Sequence, residues 1–158
     1  MSCNKDRKHV FVLPEDDSNK VLALGFHLRV NVTRQMQVLR VAGGWKKVLE
    51  KFKSDHVKEM VRYPERFMVL LIDFDGRDDR LEHAKAAIPE NLADRVFVLG
   101  AWSKPEDLRV KLGAYEQIGS DLAEDCRAGT DKVWGHELLR HNASELGRLR
   151  EQVRPILF

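Results

Sequence analysis

The sequence has little cysteine and no long apolar segment, and both shortages narrow the class of protein. Only Cys3 and Cys126 are present, and neither has a Cys-x-x-Cys partner. The sequence therefore does not support a disulfide framework, and the number of cysteines excludes a thiolate zinc site. The longest uninterrupted apolar run covers residues 67–72, far short of the roughly 20 residues that cross a bilayer. We expect no spanning helix and no membrane partner.

An excess of charge of one sign is also missing. Lys and Arg total 27 against 25 for Asp and Glu, so the formal net charge of the 158 residues is +2. Composition alone therefore does not indicate a nucleic-acid binder. Residues 1–9 are polar and lack the apolar stretch of a secretory signal. From the length and the 43% of hydrophobic residues we expect one packed domain. The low cysteine count predicts a reducing compartment, the cytoplasm.

Short apolar runs alternate with segments of helical spacing over much of the chain. Strands are predicted at residues 9–13, 38–41, 67–72 and 95–99. The unbroken run at 67–72 is typical of a strand covered on both faces in a parallel sheet. The alternation predicts an α/β fold of three layers around a mostly parallel, four-stranded sheet.

Helical spacing follows the first two of these strands. Ser18 or Asp17 is the expected N-cap of the first helix. The helix that begins at Trp45 is either one long helix or two, because residues 53–55 weaken its apolar pattern.

Only helices are predicted beyond Pro105. The chain is therefore expected to form an α/β core at residues 9–103 and a helical C-terminal extension at residues 104–158 that packs on it. Asn142 and Glu145 have the spacing of a capping box at the start of the last helix.

Acidic residues follow two of the predicted strands at the point where each strand ends. Glu15, Asp16 and Asp17 follow the first strand, and Asp73 and Asp75 follow the central one. The ligand site of an open parallel sheet lies beyond the carboxyl ends of its strands. Gathered carboxylates favour Mg²⁺, and an extended Asp-x-Asp points both side chains the same way. The alternative is that these acids only cap helices and form turns.

At Glu15, Asp73 and Asp75 the sequence resembles the TOPRIM domain, the metal-binding α/β module of topoisomerases, primases and overcoming-lysogenization-defect type nucleases. That family has a Glu after its first strand and an Asp-x-Asp pair after a later hydrophobic strand. The resemblance covers residues 10–99 and implies a TOPRIM or Rossmann-like sheet.

The resemblance also implies a chemistry. Glu15 would be the catalytic general acid or base, and Asp73 and Asp75 would hold Mg²⁺ for phosphoryl transfer or hydrolysis on nucleic acid. Asp16 stands where the family commonly has Gly. This departure favours a second hypothesis, in which a non-catalytic TOPRIM-like module binds a protein or nucleotide partner.

Several further residues are weaker candidates for the site. Asp79 and Glu106, in adjacent loops, are additional ligand candidates, and Arg40 is a candidate phosphate contact. His136 and His141 are about 140° apart around an ideal helix, so they would not share a metal without a break between them.

A receiver domain that accepts a phosphoryl group is a minor alternative. Asp16, Asp17, Asp73 and the Lys104-Pro105 pair resemble its constellation of residues. However, one predicted strand lies between Asp73 and Lys104, where a receiver has two.

Overall fold

The computed structural model describes residues 3–158 and contains a four-stranded parallel sheet. The strands are β1 (His9–Pro14), β2 (Met36–Val38), β3 (Arg66–Leu71) and β4 (Val96–Leu99). Their order is β2-β1-β3-β4, which places β1 and β3 at the centre. Every neighbouring pair is parallel. The predicted α/β fold with a four-stranded sheet is confirmed.

Helices connect the strands and form the C-terminal part of the chain. The α-helices are α1 (Asp17–His27), α2 (Trp45–Lys51), α3 (Val57–Arg62), α4 (Asp79–Ala86), α5 (Pro105–Leu112), α6 (Tyr115–Ala128) and α7 (Ala143–Leu157). A π-helical segment spans Phe52–His56, and 3-10 turns span Thr33–Gln35, Glu90–Arg95 and Arg140–Asn142.

Both faces of the sheet are covered, because successive strand side chains point to opposite sides. Val12 and Val69 belong to a core with α1, α5, α6 and α7. Leu13 and Leu70 belong to a second core with α2, α3 and α4. The molecule therefore has the three layers that the sequence predicts, with the C-terminal helices in one of them.

The C-terminal part packs closely on α1. A Cβ atom on Gly25 would lie 2.1 Å from the main-chain oxygen of Glu116, and one on Gly119 would lie 2.0 Å from that of Leu22. Real Cβ contacts are not this short, so only glycine at both positions allows α1 and α6 to approach so closely.

The second strand lies slightly earlier in the chain than the predicted 38–41. Met36 is buried and pairs with Val10, so the strand begins there. Past Val38 the chain remains beside β1 through separate hydrogen bonds, such as the one from the Leu39 N–H to the Val12 carbonyl at 2.8 Å.

The helix predicted to begin at Trp45 is continuous but changes its winding. The weakly patterned residues 53–55 fall inside the π-helical segment Phe52–His56. Phe52, the first residue of this segment, and Met60 in α3 are both fully buried. The wider turn therefore keeps the apolar residues of α2 and α3 on one face.

The capping box predicted for α7 is wrong. The Asn142 and Glu145 side chains instead form hydrogen bonds with the main chain of the edge strand β4 and of the residue that follows it. Asn142 accepts from the Gly100 N–H at 3.1 Å and donates to the Gly100 carbonyl at 3.0 Å. Glu145 accepts from the Val98 N–H at 3.1 Å. These bonds satisfy main-chain groups that have no strand beside them.

Two expectations from composition agree with the structure. Cys3 and Cys126 are both buried and neither is in a disulfide. Among the helices of residues 3–158, none has the length and apolar character needed to cross a membrane.

Candidate functional site

The side chain of Glu15 joins the carboxyl ends of the two central strands. The Glu15 N–H donates to the Leu71 carbonyl at 2.9 Å, which extends the parallel ladder beyond β1 and β3. In a regular ladder the Glu15 carbonyl would accept next from the Asp73 N–H. Here that N–H donates to Glu15 Oε2 at 2.6 Å. The carbonyl instead accepts from the Gly43 N–H at 2.8 Å, so the two predicted acids lie together.

The Asp73 carboxyl group is almost fully buried at this edge, with 6% of the residue exposed. Asn19 of α1 is fully buried and donates through Nδ2 to Asp73 Oδ1 at 3.2 Å. Burial, followed by the negative charges of Glu15 and Asp16, raises the pKa of Asp73 to about 8. Without a cation, Asp73 is therefore mainly protonated at neutral pH.

The Glu15 carboxyl group is shifted in the same direction. Burial raises the pKa of Glu15 above its usual value, the hydrogen bond from the Asp73 N–H opposes this, and the charge of Asp16 adds to it. Two desolvated carboxyl groups on neighbouring strands suit proton transfer, and they also favour a cation that would neutralise them.

Asp16 is a third carboxylate at this edge and is not among the predicted ligands. It is the N-cap of α1, and its Oδ1 accepts from the Asn19 N–H at 3.0 Å. The helix N-cap is therefore Asp16 and not Asp17 or Ser18. The spacing of an Asp and the N–H three positions later is the available signal in the sequence. We refer to Glu15, Asp16 and Asp73 as the carboxylate cluster.

Asp75 departs from the extended Asp-x-Asp geometry expected from the sequence. Asp75 has φ 50° and Gly76 has φ 68°, so the chain turns immediately after Phe74. Aspartate tolerates this left-handed conformation better than most residues. The Asp75 side chain is 49% exposed, whereas Asp73 is buried. The two carboxylates therefore lie in different environments.

Arg80 of α4 is the cationic partner of this turn. Its Nη1 donates to the Asp73 main-chain oxygen at 2.7 Å and to Asp75 Oδ2 at 3.1 Å. The guanidinium lies over the Trp45 ring, 4.5 Å from its centroid, and 9% of the side chain is exposed. The sequence offers no motif that predicts this role for Arg80.

The weaker candidates lie outside the carboxylate cluster. Asp79 is exposed and pairs with Arg77 at 3.1 Å. Glu106 in the first turn of α5 and Arg40 after β2 are also exposed. Within residues 3–158, none of the three predicted candidates has a hydrogen bond to the cluster.

The two histidines of the C-terminal part have separate environments. The His141 ring lies 4.9 Å from the Phe74 ring and 5.3 Å from the Trp102 ring, measured between centroids. Burial lowers the pKa of His141. His136 Nδ1 accepts from the Leu138 N–H at 3.1 Å and shapes a turn. His136 thus has a structural role in a turn, whereas both ring nitrogens of His141 are buried without a hydrogen-bond partner among residues 3–158.

The chemistry of the cluster fits Mg²⁺ held by few protein ligands. Within the described residues, no group of three Asp, Glu, His or Cys side chains has the arrangement of a metal site. Mg²⁺ commonly uses one or two carboxylates and takes water and substrate phosphates as its other ligands. Glu15 and Asp73 supply such a pair. Asn19 Oδ1 is buried beside them with no hydrogen-bond partner among residues 3–158.

Comparisons of the chain with models of known protein families, with curated proteins and with solved structures found no match. The function of the site is therefore inferred from its geometry and from the residues that resemble the TOPRIM motif.

Proposed function

We propose that this protein is a TOPRIM-like enzyme that uses Mg²⁺ for phosphoryl transfer or hydrolysis on nucleic acid. The observation that carries the proposal is the 2.6 Å hydrogen bond from the Asp73 N–H to Glu15 Oε2, which places two desolvated carboxyl groups at the carboxyl edge of the sheet. The resemblance of Glu15, Asp73 and Asp75 to the TOPRIM motif supports the same chemistry.

The residues of the cluster would have different tasks. Glu15 and Asp73 would hold the cation, which neutralises charge on the phosphate and lowers the pKa of a bound water when present. Glu15 would also move a proton, as the general acid or base that the resemblance implies. Asn19 orients the Asp73 carboxyl group through its Nδ2.

A second candidate function is a non-catalytic module that binds a protein or nucleotide partner. Arg80 favours it, because this buried guanidinium already supplies positive charge beside the cluster through its bonds to Asp73 and Asp75. The receiver-like alternative has less support: the described residues form four strands, and Lys104 is an exposed residue at the N-cap of α5.

The buried free thiols of Cys3 and Cys126 are consistent with a reducing compartment, and we place the protein in the cytoplasm on that ground.

Incubation of the full chain with labelled single- and double-stranded DNA and RNA, with Mg²⁺ or Mn²⁺, tests the enzyme against the module. We expect metal-dependent cleavage or transfer that is lost in Glu15→Gln and Asp73→Asn. The matched control is Asp79→Asn, which changes an exposed aspartate of the same edge and should retain activity. Turnover that survives in Glu15→Gln, or metal binding without turnover on any of the four substrates, contradicts the enzyme proposal.

A further inference from the structure

One carboxylate at the edge of the sheet already has a cation partner within the chain. Arg80 Nη1 lies 3.1 Å from Asp75 Oδ2 and 2.7 Å from the main-chain oxygen of Asp73. The Nη1 atom of Arg80 therefore connects the Asp75 side chain to the main chain of Asp73.

The position of Arg80 is constrained from several sides. Its guanidinium lies over the Trp45 ring at the start of α2, while Arg80 itself belongs to α4. Its Nε is enclosed without a hydrogen-bond partner among residues 3–158. A planar guanidinium that is stacked on one side and bonded at its tip has little freedom to turn away.

Asp75 is correspondingly restricted. To reach the carboxylate cluster, its side chain would have to leave Arg80, and a buried guanidinium would then lose its counter-ion. Leaving the Arg80 side chain, which is only 9% exposed, without its half-exposed partner would be unfavourable. The left-handed backbone of Asp75 also directs the chain into the turn at Gly76 and does not continue the extended segment that ends at Phe74.

The charges that shift the pKa values of Glu15 and Asp73 agree with the position of Asp75 outside the carboxylate cluster. The charges that act most strongly on Asp73 are those of Glu15 and Asp16. Asp75 raises the pKa of Glu15 less than Asp16 does. Asp16 is thus the more closely coupled third acid.

We infer that Arg80 is a positioning residue that pairs with Asp75 and so keeps Asp75 from binding a divalent cation. The cation is then held by Glu15 and Asp73, with Asp16 beside them. This inference rests on the proposed cation site. It gives the two aspartates of the Asp-x-Asp pair different roles: Asp73 binds the cation, and Asp75 with Arg80 holds the turn that presents it.

Calorimetric titration of the full chain with MgCl₂ and MnCl₂ separates these roles. The decisive variant carries Asp75→Asn with Arg80→Met, because it removes the ion pair without changing the net charge. We expect its dissociation constant for Mg²⁺ to stay within about threefold of wild type. Asp73→Asn, which leaves the pair intact, should lose binding at millimolar metal.

Arg80→Met alone distinguishes positioning from a general structural role. It leaves Asp75 negative and free, so we expect Mg²⁺ to bind about tenfold more tightly than to wild type. A residue that merely supported the fold would weaken binding when removed. Arg80→Lys keeps the positive charge, but a lysine cannot both bridge Asp73 and Asp75 and stack on the Trp45 ring. Its affinity for Mg²⁺ should therefore lie between those of wild type and Arg80→Met. Circular dichroism and thermal melts establish that each variant is folded.

The outcomes separate this inference from the function on which it rests. If wild type binds Mg²⁺ and the double variant loses binding as Asp73→Asn does, Asp75 is a ligand and the inference is wrong, while the cation site stands. If Arg80→Met weakens binding in a folded protein, the inference is also wrong. No binding to wild type at millimolar metal overturns both.

Discussion

Glu15 accepts the Asp73 main-chain N–H through its carboxylate at 2.6 Å, in the place where the ladder between β1 and β3 would otherwise continue. A functional candidate therefore also completes the sheet. Because the same oxygen satisfies a backbone donor and lies in a cluster of acids, stability and chemistry are coupled at this residue.

Replacing Glu15 separates its hydrogen bond from its charge. Glu15→Ala leaves the Asp73 N–H without its acceptor, and we expect a loss of about 1–3 kcal/mol in the free energy of unfolding. Glu15→Gln keeps an oxygen acceptor and should lie within about 0.5 kcal/mol of wild type. Urea unfolding at pH 7 measures both. Equal destabilisation by the two substitutions would show that the hydrogen bond contributes little.

The raised pKa of Asp73 predicts a pH dependence of stability in the absence of divalent cations. Its pKa rises from 3.8 to about 8 on folding, so the folded state binds the proton more tightly than the unfolded state. The stabilisation that comes from this tighter proton binding is fully present below the unfolded pKa of 3.8. It is lost as the pH rises through the folded pKa of about 8. We expect the stability of wild type to fall relative to Asp73→Asn between these limits. Urea unfolding in EDTA across this range measures the difference; a parallel pH dependence of the two proteins contradicts it.

The buried Asn19 supports the cluster from α1. Asn19→Ala removes the donor to Asp73 Oδ1, and we expect a destabilisation of about 1–3 kcal/mol. Asn91→Ala is the control, because Asn91 is exposed and its replacement should change stability by less than about 0.5 kcal/mol. Similar melting temperatures for the two variants would count against the role of Asn19.

The close contact of α1 and α6 predicts opposite effects for two glycine substitutions. Gly119→Ala would place a Cβ atom 2.0 Å from the Leu22 oxygen, and we expect a loss of about 3 kcal/mol. A Cβ atom on Gly147 in α7 would meet no other atom within 4 Å, so Gly147→Ala should stabilise by about 0.5–1 kcal/mol. Thermal or urea unfolding gives the sign of each change, and a stabilising Gly119→Ala would contradict the packing.

The sequence predicts the site to the extent that local pattern determines it. The apolar run at 67–72 identifies the central strand, and the rule that parallel strands share a carboxyl edge is enough to predict that Glu15 and Asp73 lie together. Both inferences depend on residues close in sequence and on general properties of sheets.

The roles of Asp75, Arg80 and Glu145 could not be predicted in the same way, because they depend on tertiary neighbours. Asp75 pairs with Arg80, and Arg80 lies over Trp45, which comes from another helix. Glu145 has the sequence spacing of a capping residue. However, its carboxylate accepts a hydrogen bond from the Val98 N–H at the unpaired edge of β4. In each case a long-range contact overrides the local motif.

The central claim is that Glu15 and Asp73 hold a divalent cation in ionised form, and proton release tests it most directly. Asp73, with a pKa of about 8, is mainly protonated at pH 7 until a cation displaces its proton. Titration of the wild type with MgCl₂ in two buffers of different ionisation enthalpy measures the protons released. We expect roughly one proton per Mg²⁺ bound at pH 7 and no binding in Asp73→Asn. Binding without proton release, or equal binding by Asp73→Asn, would contradict the account.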